Sequence, residues 1–446
     1  MPKKLRDWLF IIFIILFCII TFFVALYAAG YSINRKWPPR FDNLFEKTGM
    51  LIIDSQPSGA TIFLNDEKQK KFFLLDVGQS EITTPARIKN LPPGEYELRL
   101  EKEGYWPLEK KIIIKPGQSS FAEDFIIFKQ SLPLNLTLCQ PQEMLLSPNQ
   151  KSILLTQDAL LIDLKTGSSS QLDINLTGSD VSWSENSNRL FINEQVLDLN
   201  NKNNQLNIPD VELGKDAYNF HWDEDNKKLY YQLEHSINCL NLDNNTAINL
   251  LSKGQYLAYT IKDNLIYTAE KEEEKYYLRT YDLNTYILQS STEISSGFYS
   301  FQADGNNLGL FNKNQKELYI LNGLASRPIG RKINNIIEWI WINEEVLLWR
   351  NDTEIYSMNI KDGRQNLIIR VSEALTGIAW NKAKSYLIYT SANNIWIVNL
   401  NLEKIIPIQL LKAEKINNLY LDEKNQIIYF YASIGQQSGI YKLQLQ

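Results

Sequence analysis

Hydrophobic and polar positions fall into three regimes along the chain. From Trp8 to Gly30 no residue is charged, and the run reads WLFIIFIILFCIITFFVALYAAG. At about 1.5 Å per residue it predicts a helix of roughly 34 Å, enough to cross a hydrocarbon core of about 30 Å. From Met50 onward the period changes to two. Met50–Asp54 and Thr61–Leu64 read as strands about the turn Pro57-Ser58-Gly59-Ala60, and Tyr96–Leu100 alternates apolar with charged residues. A third regime starts near Ser131, where short β-prone runs alternate with Asn, Asp, Ser and Gly turns and no helical period is sustained.

That third regime repeats. Strand-end residues Leu146, Trp183, Trp222, Tyr259, Phe301, Trp341, Trp380 and Leu421 recur about every 39 residues, and so do Leu164, Leu199, Leu242, Leu283, Leu321, Ile360, Leu400 and Leu443. A period near 40 with about four short strands per unit predicts a β-propeller of about eight blades, with seven as the alternative because Gly254–Ile294 is the least regular unit. The last unit stops after three strands, while Leu132–Leu138 is an orphan strand ahead of the first. We therefore expect the orphan to complete the last blade and close the ring.

The fold class is mainly β: a transmembrane helix, a small β-sandwich-like module, then the propeller. The expected limits are a cytoplasmic tail over 1–7, a signal anchor over 8–30, a stalk over 31–48, the β module over 49–128 and the propeller over 131–446. The apolar run is too long for a cleaved signal peptide and lacks a good A-x-A site, so it is expected to stay as an anchor. Lys3, Lys4 and Arg6 precede it and Arg35, Lys36 and Arg40 follow it. The usual export of signal-anchor chains places the amino terminus in the cytoplasm and both β domains outside, with Tyr27, Tyr31 and Trp37 as an aromatic belt.

The module carries a resemblance in its turn motifs. Pro57-Ser58-Gly59-Ala60, Thr84-Pro85, Leu91-Pro92-Pro93-Gly94-Glu95-Tyr96 and Gly104-Tyr105 come in the order and approximate spacing of the PEGA domain, with Ser58 where that family has its namesake Glu. The resemblance implies a small β module used for binding or spacing. A longer connection, Glu67–Ser80 with Phe72–Leu75, departs from the pattern and is expected to be a hairpin folded over the module's own core, a partner-contact strip being the alternative. Trp380–Tyr389 followed by Asn394–Leu400 is similar to blades of TolB-like and WD40-like propellers, as are Leu146–Asn149 and Asp163–Gly167. That likeness implies a fold and leaves the function open.

Composition narrows the chemistry. The 446 residues hold 46 Lys+Arg against 51 Asp+Glu, a formal charge of -5, without the basic excess that neutralising phosphates needs. No nucleic-acid partner is expected. Two histidines, His221 and His235, and three cysteines, Cys18, Cys139 and Cys239, leave almost no material for a Cys/His zinc site or a disulfide framework. No cofactor or metal is expected, and the acidic turn His221–Asn226 does not have the spacing of a calcium loop. There is no G-x-S-x-G elbow, so a non-enzyme is expected, a propeller hydrolase of glycosidase or peptidase type being the alternative.

The recurring tryptophans Trp183, Trp222, Trp341 and Trp380 are expected in inter-blade cores. Trp339 and Trp349 fall outside the repeat and are candidates for exposed stacking, with core or edge packing the more ordinary assignment. Glu270–Lys275 reads as a solvated hairpin tip. The expected partners are a lipid bilayer through 8–30 and a protein or glycan of a prokaryotic envelope. The chain is expected to bind or scaffold that partner, a purely structural tether between envelope layers being a further alternative. Loops entering each innermost strand gather at one mouth of a propeller, which nominates Asp180, Asp216, Tyr218, Tyr299, Asn334, Asn335 and Asn417 as ligand contacts.

Overall fold

A computed structural model describes residues 3–33, 45–70, 81–140, 143–172, 181–184, 186–192, 195–199, 205–207, 217–223, 225–323, 327–400 and 405–446. They divide into two compact units, Met1–Leu132 with Val398–Ile408 and Gln444–Gln446, and Pro133–Ile397 with Gln409–Leu443. Phe72–Leu75 of the long connection lies outside the described residues.

In the first unit, helix α1 (Lys3–Ala28) carries a continuous apolar span over Trp8–Ala28 whose side chains are exposed on all sides. A helix that is apolar all round is found in a protein core or across a membrane, and this one is long and apolar enough to cross a membrane. Where the sequence predicts an irregular stalk, β1 (Tyr31–Ile33) pairs antiparallel with β2 (Phe45–Lys47), so the chain leaves the helix through a short ribbon. Ser32 faces Glu46, and the alternation is too brief to register as a strand pattern.

Ribbon and module are continuous. β3 (Gly49–Gln56) lies between β6 (Ala86–Leu91) and β9 (Ser119–Ile126), antiparallel to the first and parallel to the second. A second sheet runs in the order β5 (Glu67–Lys68), β4 (Thr61–Leu64), β7 (Gly94–Glu101), β8 (Leu108–Ile114). Period-two alternation buries Leu51, Ile53, Ile62, Leu98, Leu100, Ile112 and Ile114 in one core between the sheets. Each such burial contributes about 1.5–3 kcal/mol, and Leu100→Ala would cost roughly 2–5 kcal/mol. Gly94 takes φ +156°, which a side-chain-bearing residue rarely adopts and the turn before β7 requires.

The second unit is a β-propeller. Among the described residues, eight four-stranded antiparallel sheets follow one another. Their first strands are Met144–Leu146, Val181–Trp183, Tyr218–Trp222, Gln255–Lys262, Tyr299–Asp304, Glu338–Trp341, Leu375–Asn381 and Lys415–Asp422. Consecutive sheets are tied by side chains: Tyr259 donates to the Asn219 carbonyl at 2.8 Å, and Arg350 to the Leu375 carbonyl at 3.0 Å. Tyr386 donates to Gln426 at 2.6 Å.

The ring closes on itself. β10 (Leu134–Leu138) pairs antiparallel with the last strand, Gln437–Gln444, supplying the fourth strand of the eighth sheet. That sheet then packs on the first, Tyr420 donating to the Met144 carbonyl at 2.5 Å, with Tyr429 and Ile440 in one core with Ile153 and Ile162. Pairing the beginning of the propeller with its end removes the edge an open array would expose.

Two expectations change. The unit Gly254–Ile294 is among the most regular, with strands of eight, eight, eight and seven residues. Its first hairpin turns on Asp263 and Asn264 alone, both at positive φ, a two-residue loop matched to strand twist. The Glu270–Lys275 run is not wholly a solvated tip. The strand Leu265–Glu272 is buried without a break from Ile266 through Glu270, whose carboxylate is bonded to Thr268, Tyr281 and Arg279.

Candidate functional site

The nominated mouth residues divide by environment. Asp180 and Asp216 lie outside the described residues. Tyr218 opens the first strand of the third sheet half in solvent, and its hydroxyl accepts from Gln232 Nε2 at 2.8 Å. Gln232 is fully buried and also donates to the Tyr256 carbonyl at 2.6 Å, so the ring is held from the fourth sheet.

Asn334 and Asn335 are exposed in the loop between Ile329–Ile333 and Glu338–Trp341, Asn335 at φ +57°. Asn417 is half-buried within its strand, opposite Tyr431, just before a bulge at which Asn418 takes φ +52°. Tyr299 departs from expectation. It is 6% exposed, its hydroxyl donates to the Ser295 carbonyl, and Asn312 Nδ2 donates to it at 3.2 Å. The alternation of its strand turns this ring inward, where it helps build the core of the fourth and fifth sheets.

What stands open instead is the residue before it. Phe298 is 71% exposed and, with Leu257, Tyr299, Lys313 and Asn314, borders an open cleft of about 400 Å³. Its backbone is fixed at both ends: the amide donates to Asn314 Oδ1 at 2.7 Å, and the carbonyl accepts from Lys313 N at 2.8 Å. An exposed aromatic on a hydrogen-bonded backbone, flanked by an ammonium and an amide, can stack on or pack against a partner while the polar groups orient it. Sequence reasoning chose the strand's first residue and missed Phe298. The available signal was a large apolar side chain directly after Ser295-Ser296-Gly297.

The remaining chemistry is structural. His221 lies edge-on to the Tyr259 ring at 5.0 Å, and burial pushes its imidazole down to about 4, a backbone hydrogen bond with Tyr259 opposing this weakly. Asp223 accepts the amides of Lys227 and Lys228 at 2.8 Å, an ordinary turn. His235 is exposed beside Glu234. No group of three His, Cys, Asp or Glu side chains that could hold a metal occurs among the described residues. Burial raises the Glu338 carboxyl above the usual range, and Arg350, donating at 2.6 Å, pulls it back. Arg350 is itself buried and bridges the sixth and seventh sheets, so this pair is a clamp.

Trp222, Trp341 and Trp380 are buried, and Trp183 packs half-buried at the first and second sheets. Trp339 and Trp349 are buried as well, the latter stacked on Tyr356 at 4.6 Å, and offer no exposed platform.

In the small module two of the family-like motifs, Pro57–Ala60 and Thr84-Pro85, meet at one corner. Thr84 Oγ1 lies 2.6 Å from Ser55 Oγ and accepts the Ala60 amide at 3.0 Å, and the Thr84 carbonyl accepts the Gly59 amide at 2.7 Å. The signature pins a turn to the neighbouring sheet.

Fold and site together define a β-propeller protein with a β-sandwich module behind an apolar amino-terminal helix. Residues 48–121 match the PEGA domain, so the chain carries one. Solved structures similar to it are WD40-type propellers. The Dos1 propeller superposes with TM-score 0.50 at 12% identity, over 72% of this chain and 96% of that one. The β-propeller domain of Cps50 (Swd1) from Myceliophteria thermophila gives TM-score 0.41 at 12% identity, over 58% and 97%. At that identity the likeness to the Dos1 propeller bears on the fold alone. No curated protein matches the sequence.

Proposed function

We propose that this chain is a single-pass, extracytoplasmic binding and scaffold protein of a prokaryotic envelope. It holds a protein or glycan through the propeller loops and the PEGA domain. The observation that carries the reading is the open Phe298, held through its backbone, with Lys313 and Asn314 at a strand entry. Tyr218, Asn334, Asn335 and Asn417 belong to the same class of strand-entry positions and are the secondary contacts of this reading; Asp180 and Asp216 are retained from sequence. Tyr299 serves it as a support for its neighbour. We take 8–30 as the anchor, 49–128 as the module and 131–446 as the propeller.

Two measurements test it. Protease shaving of intact cells, read by mass spectrometry, should release peptides from Gly49 onward; protection until lysis would place the domains in the cytoplasm. A photocrosslinking residue at position 298 of the full membrane-embedded chain should yield a discrete protein or glycan adduct. Absence of an adduct there, with the chain folded and present, would overturn recognition at this mouth.

A further inference from the structure

The first unit ties the start of the PEGA domain to the end of the helix. Thr48 donates through its amide at 2.7 Å and its hydroxyl at 2.8 Å to the carbonyl of Gly30, two residues past α1. The Thr48 carbonyl in turn accepts the Gly117 amide at 2.9 Å, and Met50 N donates to the Gln118 carbonyl at 3.0 Å. The turn Lys115-Pro116-Gly117-Gln118 therefore sits at the helix exit. So does Pro92-Pro93-Gly94, since Gly49 pairs with Leu91 and Gly94 with Ile114. The Lys47 side chain lies across Gly117, within 3.0 Å of where a Cβ would stand.

The outward faces of the two strands that meet at this turn change polarity along their length. On β8 they run Glu109, Lys111, Ile113 toward the turn; on β9 they run Ser119, Phe121, Glu123 away from it. Ile113 is 64% exposed and Phe121 67% exposed, and Ser120 Oγ donating to the Ile113 carbonyl at 2.8 Å holds them level. Exposed charge is what a solvated strand face normally carries. Here it gives way to large apolar side chains only in the last residues before the helix exit.

We propose that this end of the PEGA domain is a membrane-contacting surface, with Ile113 and Phe121 inserted at the interface of the same bilayer that α1 crosses. The inference rests on α1 being a bilayer anchor, and it is independent of which side the domain occupies. Lys47 and Lys115 lie at the same end, where ammonium groups meet lipid phosphate, and the prolines of both turns present no charge. The acids nearest the tip are Glu46, at the ribbon, and Glu95, whose carboxylate is paired with Lys111 at 2.8 Å. Contact of this kind would keep the module upright on the membrane instead of swinging on its ribbon.

The test uses the full chain in phosphatidylcholine/phosphatidylglycerol vesicles carrying a diazirine high on the acyl chain. After photolysis and digestion, adducts are expected on α1 and on the peptides holding Ile113 and Phe121. They should be absent from the far-end residues Glu109, Glu123 and Asp124. Adducts on α1 alone would overturn this inference and leave the anchor intact, whereas adducts on neither would overturn both. The double variant Ile113→Ser, Phe121→Ser should lower tip labelling at least fivefold without lowering helix labelling. If that variant folds poorly, Phe121→Trp serves instead. Its difference emission against the parent should be quenched more than twofold by lipids brominated near the glycerol, and equal emission in both lipids would refute insertion.

Discussion

Acidification offers a direct probe of how the third and fourth sheets are packed. The perturbation is protonation of His221. Its Nε2 is buried with no hydrogen-bond partner, and burial moves the imidazole from the ordinary 6.5 to about 4. Between those values the unfolded chain binds a proton that the folded chain refuses, so stability is fully present above pH 6.5 and is lost as pH falls toward 4. For one site the loss is about 2 kcal/mol between pH 7 and 5, and about 3 kcal/mol once pH 4 is passed. The assay is the urea midpoint of the tryptophan fluorescence transition, for the full chain in non-ionic detergent at pH 7, 6 and 5. His221→Phe keeps a ring against Tyr259 and removes the titration. The parent should lose about 2 kcal/mol more than the variant from pH 7 to 5. Parallel pH profiles would show that His221 is solvated, refuting the packing argument.

Three further outcomes follow from the same structure. Arg279→Ala leaves the buried Glu270 carboxylate without its cation and should destabilise the propeller by roughly 3 kcal/mol, read as a lowered calorimetric transition, whereas Glu270→Gln, with two hydroxyl donors retained, should cost less. A side chain at Gly439 would collide with the Thr137 carbonyl where the last strand meets β10, so Gly439→Val should lower the melting of the whole propeller and not of one sheet; an unchanged transition would refute ring closure at this seam. Phe298→Ala with Lys313→Glu changes only exposed side chains, so thermal stability should stay within about 0.5 kcal/mol while crosslinking at a neighbouring mouth position such as Asn314 is lost.

Much of the architecture was legible because it rests on local periodicities. An uncharged run as long as a bilayer is thick reads directly as an apolar helix, and period-two alternation in β3 and β7 marks a half-buried sheet. Strand-end tryptophans at a spacing near 39 announce repeated blades, since each unit must bury the same faces against its neighbours. Even closure could be reasoned out, because an orphan strand at one end and a three-stranded unit at the other leave one missing edge each.

Contacts between distant segments were a different matter. Tyr299 and Phe298 are adjacent aromatics, and only the phase of the strand decides that the first is core and the second open. Glu270 looks like part of a charged tip until Arg279 and Tyr281, on the paired strand, take up its carboxylate. Trp339 and Trp349 sit off the repeat yet are buried. The exposed apolar pair Ile113 on β8 and Phe121 on β9 gains meaning only when Thr48 and Gly117 bring the turn between those strands to Gly30. The sequence by itself determined the elements, because backbone periodicity and side-chain polarity are local. Tertiary structure decided which side chains remain for a partner, because exposure depends on what the rest of the chain packs against each one.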